Sequence, residues 1–205
     1  MIDTLIFDFG NVFINLDIES AHKQSLKLLR LTALPDDIIS INKRYEIGAV
    51  STERFLRFYN TKFPHVNTSQ LIDLWNIILK DFPKHRMDFL KTLKNQGKYK
   101  LILLSNTNAL HINYISQNVS FYNTFKSCFD AFYLSHEIGL RKPNEAIFEF
   151  VLREHDLNPK ACLFIDDTAL NTDTAKKLGM HTWTINPSSE DVSTLFITKK
   201  HLFQS

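Results

Sequence analysis

Four short runs of apolar residues are spaced along the chain, and each is flanked by polar or turn residues. Runs of this length are typical of strands that are buried on both faces of a sheet. They lie at residues 4–7, 100–104, 131–134 and 161–165, and a weaker fifth run lies at 182–185. The pattern therefore predicts four or five buried strands.

Helical patterns separate the later runs, at residues 84–96, 108–118, 144–155 and 168–178. Alternation of strands with helices favours an α/β fold in which helices cover both faces of a parallel sheet. Pro143 stands just before the third helical pattern, where a proline suits the first turn. We therefore predict a doubly covered parallel sheet.

Residues 15–83 break this alternation, because only helical patterns occur there. They predict helices at 17–31 and 36–47, a third beginning after Ser51, and a fourth with Leu71, Leu74, Trp75 and Ile78 on one face. A strand followed by such a segment suggests an insertion. We predict a helical cap at 15–83 and a core formed by 1–14 and 84–205.

Composition narrows the class of protein. The chain has 205 residues, and its net charge of +2 gives no reason to expect binding to nucleic acid or to an anionic membrane. No secretory signal or membrane-spanning run is apparent. Cys128 and Cys162 lie in apolar segments without metal-type spacing, so we expect buried, reduced thiols in a cytoplasmic protein. The oligomeric state is left open.

Polar residues follow each of the four stronger runs. Asp8 follows the first, Ser105-Asn106-Thr107-Asn108 the second, and Asp166-Asp167 the fourth; Ser135-His136-Glu137 and Gly139-Leu140-Arg141-Lys142-Pro143 follow the third. Parallel sheets bind ligands beyond the carboxyl ends of their strands. We therefore expect these side chains to converge at one edge.

The converging groups suit phosphate chemistry. Asp8, Asp166 and Asp167 would repel one another, and three carboxylates without His or Cys favour Mg²⁺. Lys142 would supply a second positive charge, so that a phosphate could be held between Lys142 and Mg²⁺. Ser105 would donate a hydrogen bond to that phosphate. Asp8 could then attack phosphorus in line to form an aspartyl-phosphate.

The ordered set of motifs resembles the haloacid dehalogenase-like hydrolase superfamily. The matching segments are Phe-Asp-Phe-Gly-Asn at 7–11, Leu-Leu-Ser-Asn-Thr-Asn at 103–108, Gly-Leu-Arg-Lys-Pro at 139–143 and Phe-Ile-Asp-Asp at 164–167. The resemblance covers nearly the whole chain. It implies a Rossmann-like core with a C1-type cap, and it is nearest to bacterial phosphatases of the α-glucose 1-phosphate type.

By this resemblance, Asp8 is the nucleophile and a metal ligand, and Lys142 is also catalytic. Gly10 would offer its carbonyl to Mg²⁺ and lie with the substrate-binding groups. Asp167 would be the direct acidic ligand of the fourth motif, with Asp166 nearby or acting through water. Ser105, Asn106 and Lys142 would hold the phosphate of a small phosphorylated metabolite, for which a sugar phosphate is the expected class.

Gly10 departs from the commonest pattern of the superfamily, Asp-x-Asp, whose second Asp acts as general acid and base. The loss of such a group lowers rates by roughly 10² to 10⁴. Three hypotheses follow: the substrate has a good leaving group, as in an anomeric sugar phosphate; Asp17, His111 or Glu46 replaces the acid; or the chain is a weakly active or non-catalytic pseudophosphatase.

Other families with related residues fit the order of the motifs less well. Kinases place several motifs before Asp-Phe-Gly, whereas only seven residues precede Asp8. Receiver domains carry their acidic pair near the N-terminus and lack a cap. A dehalogenase would need neither Asp167 nor a phosphate-binding lysine, and a mutase would have to shield its phosphorylated intermediate from water.

Overall fold

The computed structural model describes residues 1–204, and over these residues its centre is one sheet of five parallel strands. The strands are β1 (Thr4–Phe7), β2 (Lys100–Ser105), β3 (Ala131–Leu134), β4 (Cys162–Asp166) and β5 (His181–Thr184). Their order is β3-β2-β1-β4-β5, so β1 lies in the middle. Phe7 pairs with Leu103 on one side and Ile165 on the other, which brings the carboxyl ends of the three central strands level with one another.

Eleven α-helices accompany the sheet within the same residues. They are α1 (Ile18–Leu29), α2 (Asp36–Glu46), α3 (Thr52–Lys62), α4 (Thr68–Asn76), α5 (Lys84–Gln96), α6 (Ala109–Asn118), α7 (Tyr122–Ser127), α8 (Ser135–Ile138), α9 (Glu145–Glu154), α10 (Ala169–Lys177) and α11 (Leu195–Thr198).

The predicted α/β class and the covered parallel sheet are confirmed. β1 and β3 have the predicted bounds, β2 is one residue longer, and β4 and β5 are each displaced by one residue. Ser51 caps α3 by accepting a hydrogen bond from the N–H of Arg54, as predicted. Helices α7, α8 and α11 were not predicted, because helices of six residues or fewer are too short for their periodicity to stand out.

Both faces of the sheet are buried because side chains alternate along β1. Leu5 and Phe7 point to one face, where Phe13 joins their apolar cluster. Ile6 points to the other face and belongs to the cluster that contains Phe148 of α9. The central strand thus has no exposed face, and Asp8 directly after it lies at a rigid, well-packed position.

Helices α1–α4 form an apolar cluster of their own. The rings of Tyr45 and Phe55 stack with centroids 4.1 Å apart, and Leu71 packs in the same cluster. Leu110 of α6 also belongs to it, so this helical insertion packs directly on the helix that follows β2.

Two neighbouring segments connect the insertion to the sheet. Asn15 donates its backbone N–H to the carbonyl of Asp81 at 2.9 Å, and its own carbonyl accepts from the N–H of Lys80 at 2.9 Å. Leu16 and Leu79 form an antiparallel bridge beside them. The two segments lie at the two ends of the predicted cap. The division into a core and a cap at 15–83 nevertheless stays a prediction.

Cys128 and Cys162 are both free and buried, as expected. Burial raises the pKa of the Cys162 thiol to about 12, so this thiol is protonated at neutral pH. No helix within residues 1–204 is long and apolar enough to span a membrane.

Candidate active site

Asp8 extends the central strand by one residue. Its backbone N–H donates to the carbonyl of Ile165 at 2.8 Å, which fixes the residue against β4. The residue is only 8% exposed, and its Oδ1 lies 2.8 Å from Nζ of Lys142. Burial raises the pKa of Asp8 to about 7, with Lys142 opposing this rise and the Asp166 carboxylate adding to it.

Lys142 is buried between two carboxylates. Its Nζ lies 2.8 Å from Asp8 and donates to Oδ2 of Asp166 at 2.6 Å, while the residue is 1% exposed. Burial alone would lower the pKa of the ammonium, but the two carboxylates outweigh it and the net pKa is raised. Lys142 therefore remains charged and contacts two buried carboxyl groups.

Asn106 holds the backbone of Lys142 in place. Its Nδ2 donates to the carbonyl of Lys142 at 2.9 Å, and its Oδ1 accepts from the N–H of Lys142 at 2.9 Å. This reciprocal pair joins the segment after β2 to the segment after β3. The amide is therefore occupied by the backbone of Lys142, and a contact of Asn106 with phosphate stays a prediction.

Asp166 has both of its oxygens occupied. Oδ1 accepts from the N–H of Thr168 at 2.8 Å and from Nδ2 of Asn171 at 2.9 Å. Oδ2 accepts from Lys142 and from the same Asn171 amide, at 3.0 Å. The carboxylate is fully buried, and one of its four hydrogen bonds holds the ammonium of Lys142. Sequence reasoning missed Asn171; its place in the first turn of the helix after Asp166-Asp167 was the available signal.

Asp167 is more accessible than Asp166 and has fewer partners. Nδ2 of Asn11 donates to Oδ2 of Asp167 at 2.8 Å, while Oδ1 of Asn11 accepts from the N–H of Leu16 at 2.9 Å. Asn11 has a φ of 54°, in the left-handed region that asparagine tolerates better than most residues. It thus connects the acidic pair to the start of the insertion. It too was missed as a site residue.

The three carboxylates fit a hard divalent cation. One oxygen from each of Asp8, Asp166 and Asp167 lies within 4.8 Å of the other two. An all-oxygen donor set of this kind suits Mg²⁺. The structure thus brings together the acidic residues that the sequence predicted to converge.

Gly10 lies against the insertion. A Cβ atom on this residue would lie 2.6 Å from Cδ1 of Leu16, well inside van der Waals contact. A side chain at position 10 would therefore require the end of the Leu16 side chain to shift. A role of the Gly10 carbonyl as metal ligand stays a prediction.

Ser105 is the last residue of β2 and is 2% exposed. It pairs with Leu134 at the end of β3, on the same edge of the sheet as Asp8. Its predicted contact with phosphate stays a prediction.

The chain matches the model of the haloacid dehalogenase-like hydrolases over residues 2–179. The chain belongs to this family. A wild-type family enzyme from Bacteroides thetaiotaomicron, solved in complex with magnesium and inorganic phosphate, is 33% identical to this hydrolase. The match covers 96% of this chain and 100% of the other, with a TM-score of 0.80.

Two further relatives span nearly the whole length. A HAD-like family hydrolase from Porphyromonas gingivalis is 27% identical, with full coverage of both chains and a TM-score of 0.84. The D-ribitol-5-phosphate phosphatase of B. thetaiotaomicron is 26% identical over 194 residues, which are 89% of this chain and 91% of the relative.

Asp17, Glu46 and His111 are the three residues of this hydrolase that could replace an acid at position 10, and their surroundings differ. Asp17 caps α1 by accepting from the N–H of Ser20 at 3.0 Å. Glu46 lies 3.0 Å from Nη2 of Arg141, and burial raises its pKa although Arg141 opposes the rise. The environment of Glu46 therefore favours the protonated form more than usual.

His111, the third residue, is held between two polar groups. Its Nε2 lies 2.8 Å from the carbonyl of Trp75, and its Nδ1 lies 3.2 Å from Nδ2 of Asn108. Because an amide N–H only donates, Nδ1 accepts and Nε2 carries the proton. Burial lowers the pKa of His111 to about 4, so the ring is neutral at neutral pH and fastens the insertion to α6.

Proposed function

We propose that this hydrolase is a Mg²⁺-dependent phosphatase that acts on a small phosphorylated metabolite, a sugar or polyol phosphate, through an aspartyl-phosphate on Asp8. The observation that carries the proposal is the buried Lys142 ammonium, which lies between Asp8 and Asp166 at the edge where Asp167 also lies. The relative named for D-ribitol 5-phosphate supports the substrate class.

The chain's own groups would carry the reaction as follows. An oxygen of Asp8 attacks phosphorus, the bond between phosphorus and the ester oxygen breaks, and the alcohol leaves with a proton from solvent or a nearby acid. Water then attacks the aspartyl-phosphate, which releases inorganic phosphate and restores the Asp8 carboxylate. Lys142 neutralises negative charge on the phosphoryl oxygens.

Asp8 and Asp167, with the Gly10 carbonyl, would hold Mg²⁺, and Asp166 would lie beside them. When bound there, Mg²⁺ supplies a second positive charge for the phosphate. Asp166 and Asn106 position Lys142, one by pairing with its ammonium and the other by binding its backbone. Ser105 would add a hydrogen bond to the phosphate.

A second candidate function follows from the absence of an acidic side chain at position 10. Because position 10 carries no acid that could protonate the leaving oxygen, an alkoxide that is a poor leaving group would depart slowly. This favours either an anomeric sugar phosphate, whose leaving group is a weaker base, or a weakly active pseudophosphatase that binds phosphometabolites.

Release of inorganic phosphate from p-nitrophenyl phosphate tests the proposal. We expect the wild type to release phosphate with Mg²⁺ and to stop when the metal is chelated. Asp8→Asn should reduce the rate to background, whereas Asp88→Asn on the exposed side of α5 should not change it. If the wild type releases phosphate no faster than background, only the non-catalytic function remains. If Asp8→Asn releases phosphate as fast as the wild type, Asp8 is not the nucleophile.

A further inference from the structure

A buried arginine that takes no part in the proposed reaction binds the loop that follows Asp8, residues 9–16. Arg86 is the third residue of α5 and is only 5% exposed. Its Nη1 donates to the carbonyl of Phe13 at 3.3 Å and to Oδ1 of Asn15 at 2.9 Å. Arg86 therefore holds two alternate residues of this loop.

Asn11 holds the two residues that alternate with these. Its N–H donates to the carbonyl of Ile14 at 2.7 Å, and its Oδ1 accepts from the N–H of Leu16 at 2.9 Å. The segment 13–16 is thus held by the arginine at positions 13 and 15 and by Asn11 at positions 14 and 16. Because Asn11 also donates to Asp167, the shape of this segment bears directly on the acidic site.

Asp191, which follows β5, holds Arg86 in turn. Nε of Arg86 donates to Oδ2 of Asp191 at 2.8 Å, and Nε2 of His85 lies 2.9 Å from the same oxygen. Oδ1 of Asp191 accepts from the N–H of Ser193 at 3.0 Å. Burial raises the pKa of Asp191, but hydrogen bonds from Ser193, His85 and Arg86 outweigh it and the net pKa is lowered. The carboxylate is therefore ionised at neutral pH and pairs with the buried guanidinium.

The chemistry of a guanidinium suits a side chain that joins these groups. Its N–H groups lie in one plane and donate in fixed directions, so one arginine can bind a carboxylate and two neutral oxygens at once. Pairing with Asp191 alone would neutralise the charge of Arg86. The two further hydrogen bonds indicate that the side chain also fixes the loop.

We propose that Arg86 is a positioning residue for the metal site. It fixes the loop after Asp8, so that Asn11 holds Asp167 in the orientation for binding Mg²⁺, and Asp191 acts through Arg86. Hydrogen-bond partners behind the ligands of a metal orient those ligands, and their loss weakens metal binding by about 10- to 100-fold. This inference rests on the proposed function only for the Mg²⁺ site itself.

Calorimetric titration with Mg²⁺ alone tests the inference without turnover. We expect Arg86→Gln, at a temperature at which circular dichroism shows it folded, to raise the dissociation constant of Mg²⁺ about tenfold. Asp191→Ala keeps the arginine but removes its carboxylate partner, so it should raise the constant as well. Arg57→Gln, which removes the base of an exposed ion pair on α3, is the matched control and should leave the constant unchanged.

The double variant separates positioning from a general loss of stability. If Asp191 acts through Arg86, Arg86→Gln combined with Asp191→Ala should have the dissociation constant of Arg86→Gln alone, and additive effects would overturn this coupling. A purely structural role would lower the free energy of unfolding without changing the affinity of the folded chain for Mg²⁺. An unchanged dissociation constant in Arg86→Gln therefore overturns the inference, as does an unchanged constant in Asp191→Ala should Arg86→Gln not fold.

The wild type separates this inference from the proposed function. Absence of Mg²⁺ binding by the wild type would overturn the inference. Binding of Mg²⁺ without any release of phosphate would instead overturn the proposed function and leave the role of Arg86 intact.

Discussion

Leu16 fills the space that a side chain on Gly10 would enter, with its Cδ1 2.6 Å from the position of the absent Cβ. Leu16 lies near the start of the segment predicted to be a helical cap, and its N–H donates to Asn11, which also binds Asp167. A side chain at position 10 would therefore displace the end of the Leu16 side chain.

Changing position 10 alone should thus be ineffective. We expect Gly10→Asp to lower stability by about 0.5–1.5 kcal/mol, because the end of the Leu16 side chain must leave its preferred rotamer to admit the new side chain. It should not speed the hydrolysis of esters with poor leaving groups. Denaturant unfolding and phosphate release from an alkyl phosphate check the two parts.

A smaller residue at position 16 should allow an acid at position 10 to act as general acid. We expect Gly10→Asp combined with Leu16→Ala to hydrolyse the alkyl ester at least about tenfold faster than Gly10→Asp, since a positioned general acid contributes roughly 10² or more. Leu16→Ala alone is the control. Equal rates in the double and single variants would mean that Leu16 does not block an acid at this position.

Asn171 should matter because it holds Asp166. Asn171→Ala removes the amide that donates to both oxygens of Asp166. We expect a loss of about 1–3 kcal/mol in stability, as for a buried group left without a partner. The rate should fall as well, because Asp166 positions Lys142. Asn113→Ala on the exposed side of α6 should change neither, and a normal rate in Asn171→Ala would show that Lys142 needs no such support.

The convergence of Asp8, Asp166, Asp167 and Lys142 could be predicted because parallel strands place their carboxyl ends at one edge. Asn11, Asn171 and Leu16 could not, because their contacts depend on how segments distant in sequence or separated by a turn pack together. The sequence likewise could not indicate that the Asn106 side chain is occupied by the backbone of Lys142.

His111 should make stability depend on pH. The pKa of His111 is about 4 in the folded protein against an ordinary value of 6.5. On acidification, His111 is therefore protonated in the unfolded chain at a higher pH than in the folded chain. The contribution of His111 to stability is therefore fully present above the pKa of the unfolded chain, 6.5, and is lost as the pH falls from there toward the folded pKa of about 4. We expect a loss of about 2 kcal/mol from this residue between about pH 7 and about pH 5.

His111→Gln tests this dependence, since a glutamine amide can still donate to the carbonyl of Trp75 but does not titrate. The difference in unfolding free energy between the two pH values should shrink by about the same amount. An unchanged difference would assign the acid sensitivity to other groups such as His136, whose pKa is also lowered by burial.

The central claim is that Asp8 carries the phosphoryl group. Rapid-quench measurement of a single turnover, with a radiolabelled phosphate ester and Mg²⁺, tests it most directly. We expect label to appear transiently on the protein as a hydroxylamine-labile acyl phosphate at Asp8, before inorganic phosphate, and to be absent in Asp8→Asn. Release of inorganic phosphate by Asp8→Asn at the wild-type rate, with no label on either protein, would contradict the account.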